Sequence, residues 1–186
     1  QAECLRLIKK KAKAEDIDCL SSRVKSGDSD NIEALAAQKY FPALFGEKFT
    51  REDENIYNSA LNYGYAIIRG CVARNIASYG FIPALGLHHK SELNAFNLAD
   101  DLMEPFRPLI DLLVAACLDE SIGELSPPIK RLLFNSLNLD ILSGKQHHSV
   151  SYSIERLVQS LSKSFENKKD YLCLPELIEL KQHSYE

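Results

Sequence analysis

The chain has 186 residues, with 22 Lys and Arg against 26 Asp and Glu, a formal net charge of −4 at pH 7. Hydrophobic residues make up 45% and charged residues 26%, the composition of a globular domain that buries a core without disulfide staples. The charge excludes a basic whole-chain footprint and, taken alone, argues against nucleic acid as a partner. Eight Gly and seven Pro, with abundant Leu and scarce Val, argue against an all-β fold.

Apolar positions recur at helical spacing along most of the chain, and strict alternation is nearly absent. Leu5, Ile8, Ala12, Cys19, Leu20 and Val24 predict a first helix ending near Gly27, with Lys9, Lys10, Lys11 and Lys13 as its solvated face. A turn at 28–31 leads to a second helix over 32–43, and the polar stretch 45–53, with Gly46, reads as a loop. The clearest periodicity spans 55–79, with Gly80 as its stop. Residues 81–89, FIPALGLHH, form a connector. The helical pattern of 94–119 is interrupted by Pro105 and Pro108, so a kink or unwound turn is expected near Glu104. Ser126-Pro127 starts a helix carrying Leu132, Leu133 and Leu137. A final long helix covers 149–167, and the tail after Tyr171 is expected to be short and partly helical. No apolar run reaches the roughly 18 to 20 residues that span a bilayer. The expected architecture is an all-α, single helical bundle: an N-terminal helix within 1–27, a core over 31–168 and a tail over 169–186.

Cys4, Cys19, Cys71, Cys117 and Cys173 are odd in number and form no CxxC pair. Neither a zinc site nor a disulfide framework is expected, a reducing cytosolic compartment is the simplest context, and each thiol reads as a small buried hydrophobe in a helix. The chain lacks GxxxxGK, GxGxxG and GxSxG, the usual signatures of nucleotide binding and serine hydrolysis.

Candidate chemistry concentrates in GLHHKSELNAFNLADDLMEPFRP, 86–108. Asp101 and Glu104 share a helical face, and with Asp100 they repel one another unless something positive sits between them. A divalent cation held by histidine and carboxylate meets that need. The competing reading is a solvated acidic face with His88 capping or packing. Glu33 has a competing reading too, since it follows Asp30 at the spacing of a capping box. His147 and His148 have no acid at metal-ligand spacing and read as surface residues.

The run LNYGYAIIRGCVARNIASYGFIPALGLHHKSELNAFNLADDLMEPFRPLID (61–111), with EALAAQKY (33–40) upstream and more loosely SVSYSIERLVQSLSKSF (149–165), closely resembles the CRISPR-associated "Cas one" integrase-endonuclease family of spacer acquisition. The likeness is strongest to its compact type II members. It implies a helical catalytic domain with a metal site of Glu33, His89 (the second histidine of LGLHH) and Glu104 (the acid of DLME), holding Mg²⁺ or Mn²⁺. It further implies Asp101 as an auxiliary carboxylate, Asn58 and Tyr63 of NSALNYGY as residues of the active-site helix, and His88 as the structural member of its pair. Lys39, Arg69, Arg74 and Arg107 are the candidate DNA contacts, with solvated helix cations as the competing reading. The implied function is metal-dependent DNA endonuclease and integrase chemistry in CRISPR adaptation. Protospacer 3′-hydroxyls join the repeat array by transesterification, and water in the same position gives cleavage.

The implied partners are double-stranded DNA, a small ferredoxin-like CRISPR-associated protein and, in the full-length protein, a second copy, with a monomer as the alternative for this chain, in the cytoplasm of a prokaryote and away from membranes. Family members carry a β-rich N-terminal domain before the helical one. This chain, starting Gln-Ala-Glu, is expected to be the catalytic domain without it, with weak or no integration on its own. The alternatives are a general metal-dependent DNA phosphodiesterase and an inert helical interaction module. A cation among the acids changes the local sign, so the −4 balance excludes less than it first suggests.

Overall fold

The longest apolar periodicity of the sequence becomes a helix of 23 residues. The computed structural model describes residues 1–25, 30–119 and 121–184, and within them α4 (Ile56–Ser78) is the central element. Asn55, in extended geometry, caps it by accepting the Asn58 backbone N–H at 2.8 Å, which satisfies a donor the first turn leaves without a helical partner. At the other end Gly80 takes φ +80°, and the Phe81 N–H closes back on the Ile76 carbonyl at 3.0 Å. This is the left-handed stop expected there.

Around α4 pack α5 (Asn97–Met103), α6 (Arg107–Cys117), α7 (Pro127–Phe134) and α8 (Val150–Asn167). Their apolar faces, among them Leu61, Ile68, Leu98, Ile110, Leu133 and Ile154, form the main core. Gly64 allows α6 to come close, since a Cβ there would lie 2.5 Å from Ile110 Cγ2. The unwound turn expected near Glu104 is a 3-10 turn, Glu104–Phe106, between α5 and α6. Pro105 and Pro108 fall in first-turn positions, where a missing N–H costs nothing. A smaller core joins α1 (Ala2–Leu7), α2 (Lys11–Ser21) and α3 (Ile32–Phe45) through Leu5, Ile17, Ile32 and Tyr40, with Leu112 of α6 packed into it.

The predicted first helix is two helices. α1 ends at Leu7, Lys9 takes φ +64°, and α2 folds back against α1. Helical spacing is kept on both sides of this turn, so the pattern alone does not reveal it. Gly27 and Asp28, on which the expected helix end and turn fall, lie outside the described residues; α2 itself stops at Ser21. Leu137 lies beyond α7, in a 3-10 turn at Asn135–Asn138.

The fold is mostly helical, as expected, but among the described residues there is one small sheet. β1 (Asp140–Ser143) and β2 (Gln146–Ser149) pair antiparallel with Ser143 opposite Gln146. Gly144 and Lys145 form the turn at φ +60° and +69°, the left-handed pair whose twist suits a tight hairpin. The tail is extended rather than helical, and its β3 (Pro175–Glu176) adds to the other edge of β1. Cys4 and Cys71 are buried in helices, but Cys19 and Cys117 are exposed and Cys173 lies half-buried in the tail. Among the described residues no helix is long and apolar enough to cross a membrane.

Candidate active site

A cavity of about 1430 Å³ lies where the two cores, the connector and the tail meet, and Glu33, His89, Asp101, Glu104 and Arg107 all line it. Glu33 stands in the first turn of α3, where the helix N-terminus favours a negative charge. Asn31 is the N-cap and makes no side-chain cap bond, while Asp30 pairs with Lys25 at 2.7 Å. The capping-box reading of Asp30 and Glu33 is therefore corrected: the helix starts one residue too late for it.

His89 is held by Asp101. The carboxylate accepts the backbone N–H groups of Leu87, His88 and His89 at 2.5, 3.0 and 3.1 Å and lies 2.6 Å from the His89 ring Nδ1. Burial opposes its ionisation, but the backbone N–H of His88, the imidazole of His89 and the other two amides hold its carboxyl below the ordinary value. A proton on Nδ1 toward this carboxylate leaves the lone pair of Nε2 available to a ligand. Asn97 fixes the same connector to α5, donating to the Ala84 and Ser91 carbonyls at 3.0 and 2.7 Å.

Burial pushes the Glu104 carboxyl up; Arg107 and His89 pull it down, and Glu33 and Asp100 push it up again. Arg107 Nε stands 2.9 Å from Glu104 Oε1. Among the described residues, no three His, Cys, Asp or Glu side chains are gathered closely enough to hold one metal ion as they stand. The donor set nonetheless suits a divalent cation: two carboxylates and an oriented imidazole border one space, and the mutual repulsion of the acids is what such a charge relieves.

The other predicted residues separate. Asn58 is buried outside the cavity, donates to the Thr50 and Asp53 carbonyls at 2.8 Å each, and accepts from Arg51. Tyr63 packs against the main core, with Lys130 Nζ 6.0 Å from its ring. Arg69 is 3.8 Å from Asp100 and over the Phe96 ring, and Lys39 and Arg74 are exposed on α3 and α4. His88, by contrast, lines the cavity too: it is exposed there and donates its backbone N–H to Asp101. His147 is exposed as expected but lies 3.8 Å from buried Asp140, which also meets His183 Nδ1 at 2.5 Å; His148 is half-buried against Tyr152. Sequence reading missed Tyr65 and Asp111, which line the cavity as well. The one local signal for Asp111 is its place as the single acid of RPLIDLLVAAC.

The family model for CRISPR associated protein Cas1 matches residues 6–124. A CRISPR-associated endonuclease Cas1 of Neisseria meningitidis serogroup C (strain 8013) is 48% identical over 176 residues, covering 93% of this chain and 58% of the relative. A CRISPR-associated endonuclease Cas1 of Francisella tularensis subsp. novicida is 26% identical over 145 residues, covering 74% of this chain and 46% of its own length. The chain thus spans about half the length of these relatives. A solved casposase bound to integration product shares the fold, with a TM-score of 0.66 and 24% identity over 86% of this chain and 53% of that one.

Proposed function

The chain belongs to the CRISPR associated protein Cas1 family, and from that premise we propose that it is a divalent-metal-dependent DNA endonuclease and integrase of CRISPR adaptation. The observation that carries this reading is that Glu33, His89 and Glu104, from three separate elements, border one cavity. These residues would hold Mg²⁺ or Mn²⁺, which when bound neutralises charge developing on a phosphate and orients an in-line nucleophile. Asp101 keeps the His89 ring in the ligating tautomer. Arg107 offers its guanidinium to a backbone phosphate.

The 3′-hydroxyl of one DNA strand attacks a phosphodiester of the repeat, forming one P–O bond as the bond to the leaving 3′-oxygen breaks. No residue becomes covalently attached. Double-stranded DNA is the substrate in this reading, and a second copy of the chain, a small ferredoxin-like CRISPR-associated partner and a prokaryotic cytoplasm belong to the same proposal.

Calorimetric titration with Mn²⁺ tests the site. The wild-type chain is expected to bind, Glu104→Ala to lose binding, and Asp101→Asn to weaken it about 10–100-fold. The three ligand side chains do not converge as they stand, which favours a second reading, an inert interaction module. No Mn²⁺ binding, and no change in Glu33→Ala, would favour that reading instead. Joining against mere cutting of a repeat-containing plasmid separates an integrase from a general phosphodiesterase.

A further inference from the structure

Tyr65 has no task in the function above, although it is buried and borders the cavity. Its hydroxyl donates to Asp111 Oδ1, and the Tyr40 hydroxyl donates to Oδ2 of the same carboxylate at 2.8 Å. The far end of the ring is thereby fixed from α3 and α6 at once. Over the ring lies the Arg107 guanidinium, its Cζ 4.6 Å from the centroid, while Arg51 Cζ stands farther off at 5.7 Å.

Two groups therefore hold Arg107: this ring and the Glu104 carboxylate at 2.9 Å. They are not equivalent. A Glu104 oxygen engaged by a divalent cation is a poorer partner for a guanidinium, whereas the ring face takes no part in that competition. Stacking on an aromatic face uses the plane of the guanidinium and leaves its in-plane N–H groups for a phosphate.

We propose that Tyr65, fixed by Asp111 and Tyr40, is a positioning residue whose ring holds the Arg107 guanidinium as the contact for one DNA backbone phosphate. This rests on the DNA-joining function proposed above. The experiment is equilibrium binding of a short DNA duplex by the chain with Mn²⁺ present, across a salt series. Each neutralised phosphate contributes about one to the slope of log K against log salt, so Arg107→Ala is expected to lower that slope by about one.

Tyr65→Leu removes no charge, yet it is expected to lower the slope by the same amount and to add nothing in combination with Arg107→Ala. Arg107→Lys keeps the charge and loses the planar guanidinium that can lie on the ring, and is expected to behave like Arg107→Ala. If Arg107→Ala lowers the slope while Tyr65→Leu and Arg107→Lys leave it at the wild-type value, the positioning role is overturned and the DNA-binding site stands. If Arg107→Ala itself changes nothing, Arg107 contacts no phosphate, and the proposal falls together with that part of the function. Should Tyr65→Leu lose its cooperative thermal transition, Arg107→Lys alone decides.

Discussion

Asp111 sits in α6 among leucines and valines, 2% exposed, with both oxygens accepting tyrosine hydroxyls. Burial pushes its carboxyl up to about 6, against the opposing pull of Tyr65 and Tyr40. The folded chain therefore holds this proton where the unfolded chain, at about 3.8, has released it. The group's contribution to stability falls as pH rises from about 4 to about 6. At 1.36 kcal/mol per pH unit the whole window is worth about 3 kcal/mol. Asp111→Asn keeps the shape and cannot ionise, so that fall is absent from the variant. Urea unfolding is expected to show the variant gaining most of this amount on wild type between pH 4 and pH 7. A constant difference between the two proteins across that window would refute the assignment. Sequence hints at the burial through the apolar run around Asp111, but its partners lie 71 and 46 residues away in the chain and leave no local trace.

At the scale of elements, the connector before α5 is built around a glycine. A Cβ on Gly86 would lie 2.2 Å from the His89 carbonyl oxygen, 2.8 Å from Asn97 Cβ and 3.0 Å from Asp101 Oδ2. Backbone cannot give way as a flexible side chain does, so Gly86→Ala must displace the loop that presents His89. The expected outcome is a loss of about 1–3 kcal/mol in thermal or urea unfolding, with Mn²⁺ affinity falling about 10–100-fold, as when an orienting partner is lost. Undiminished Mn²⁺ binding in this variant would show that the loop geometry is not needed. Sequence periodicity revealed α4 and α8 almost to the residue because each carries many apolar positions, a capping side chain and a left-handed stop. The β1–β2 hairpin escaped notice because strands of four residues are too short to display alternation. Gly144-Lys145 was the one turn signal available, and a lone glycine between polar residues reads equally as loop.

The whole molecule decides what the motifs leave open. Glu33 comes from the smaller core, Glu104 from the junction of two helices of the main core, and Leu172, Leu174 and Leu177 of the tail form another wall of the same cavity. The family motifs point to candidate donors, but the mutual approach of these residues depends on how the cores dock and where the tail runs. The tail is fastened at two places. Near α8, the Tyr171 and Cys173 N–H groups donate to Ser164 and Ser160 hydroxyls at 2.9 and 3.0 Å. Near β1, Asp140 N–H donates to the Lys181 carbonyl at 2.8 Å, His183 N–H to the Asn138 carbonyl at 2.9 Å, and the His183 ring meets the Asp140 carboxylate. Between these fastenings β3 passes beside the Glu104–Phe106 turn. Hydrogen bonds to a carboxylate contribute about 1.5–3 kcal/mol, enough to set the local opening of a short strap. His183→Ala is expected to speed hydrogen exchange of the backbone amides at positions 140 and 183 by about 10–100-fold while the amides of α4 keep their wild-type rates. Equal acceleration throughout the protein would mean that the tail opens only with global unfolding. Unchanged exchange at Asp140 would mean that the imidazole contact does not fasten it, leaving the backbone pairing with β1 as the restraint on this wall of the cavity.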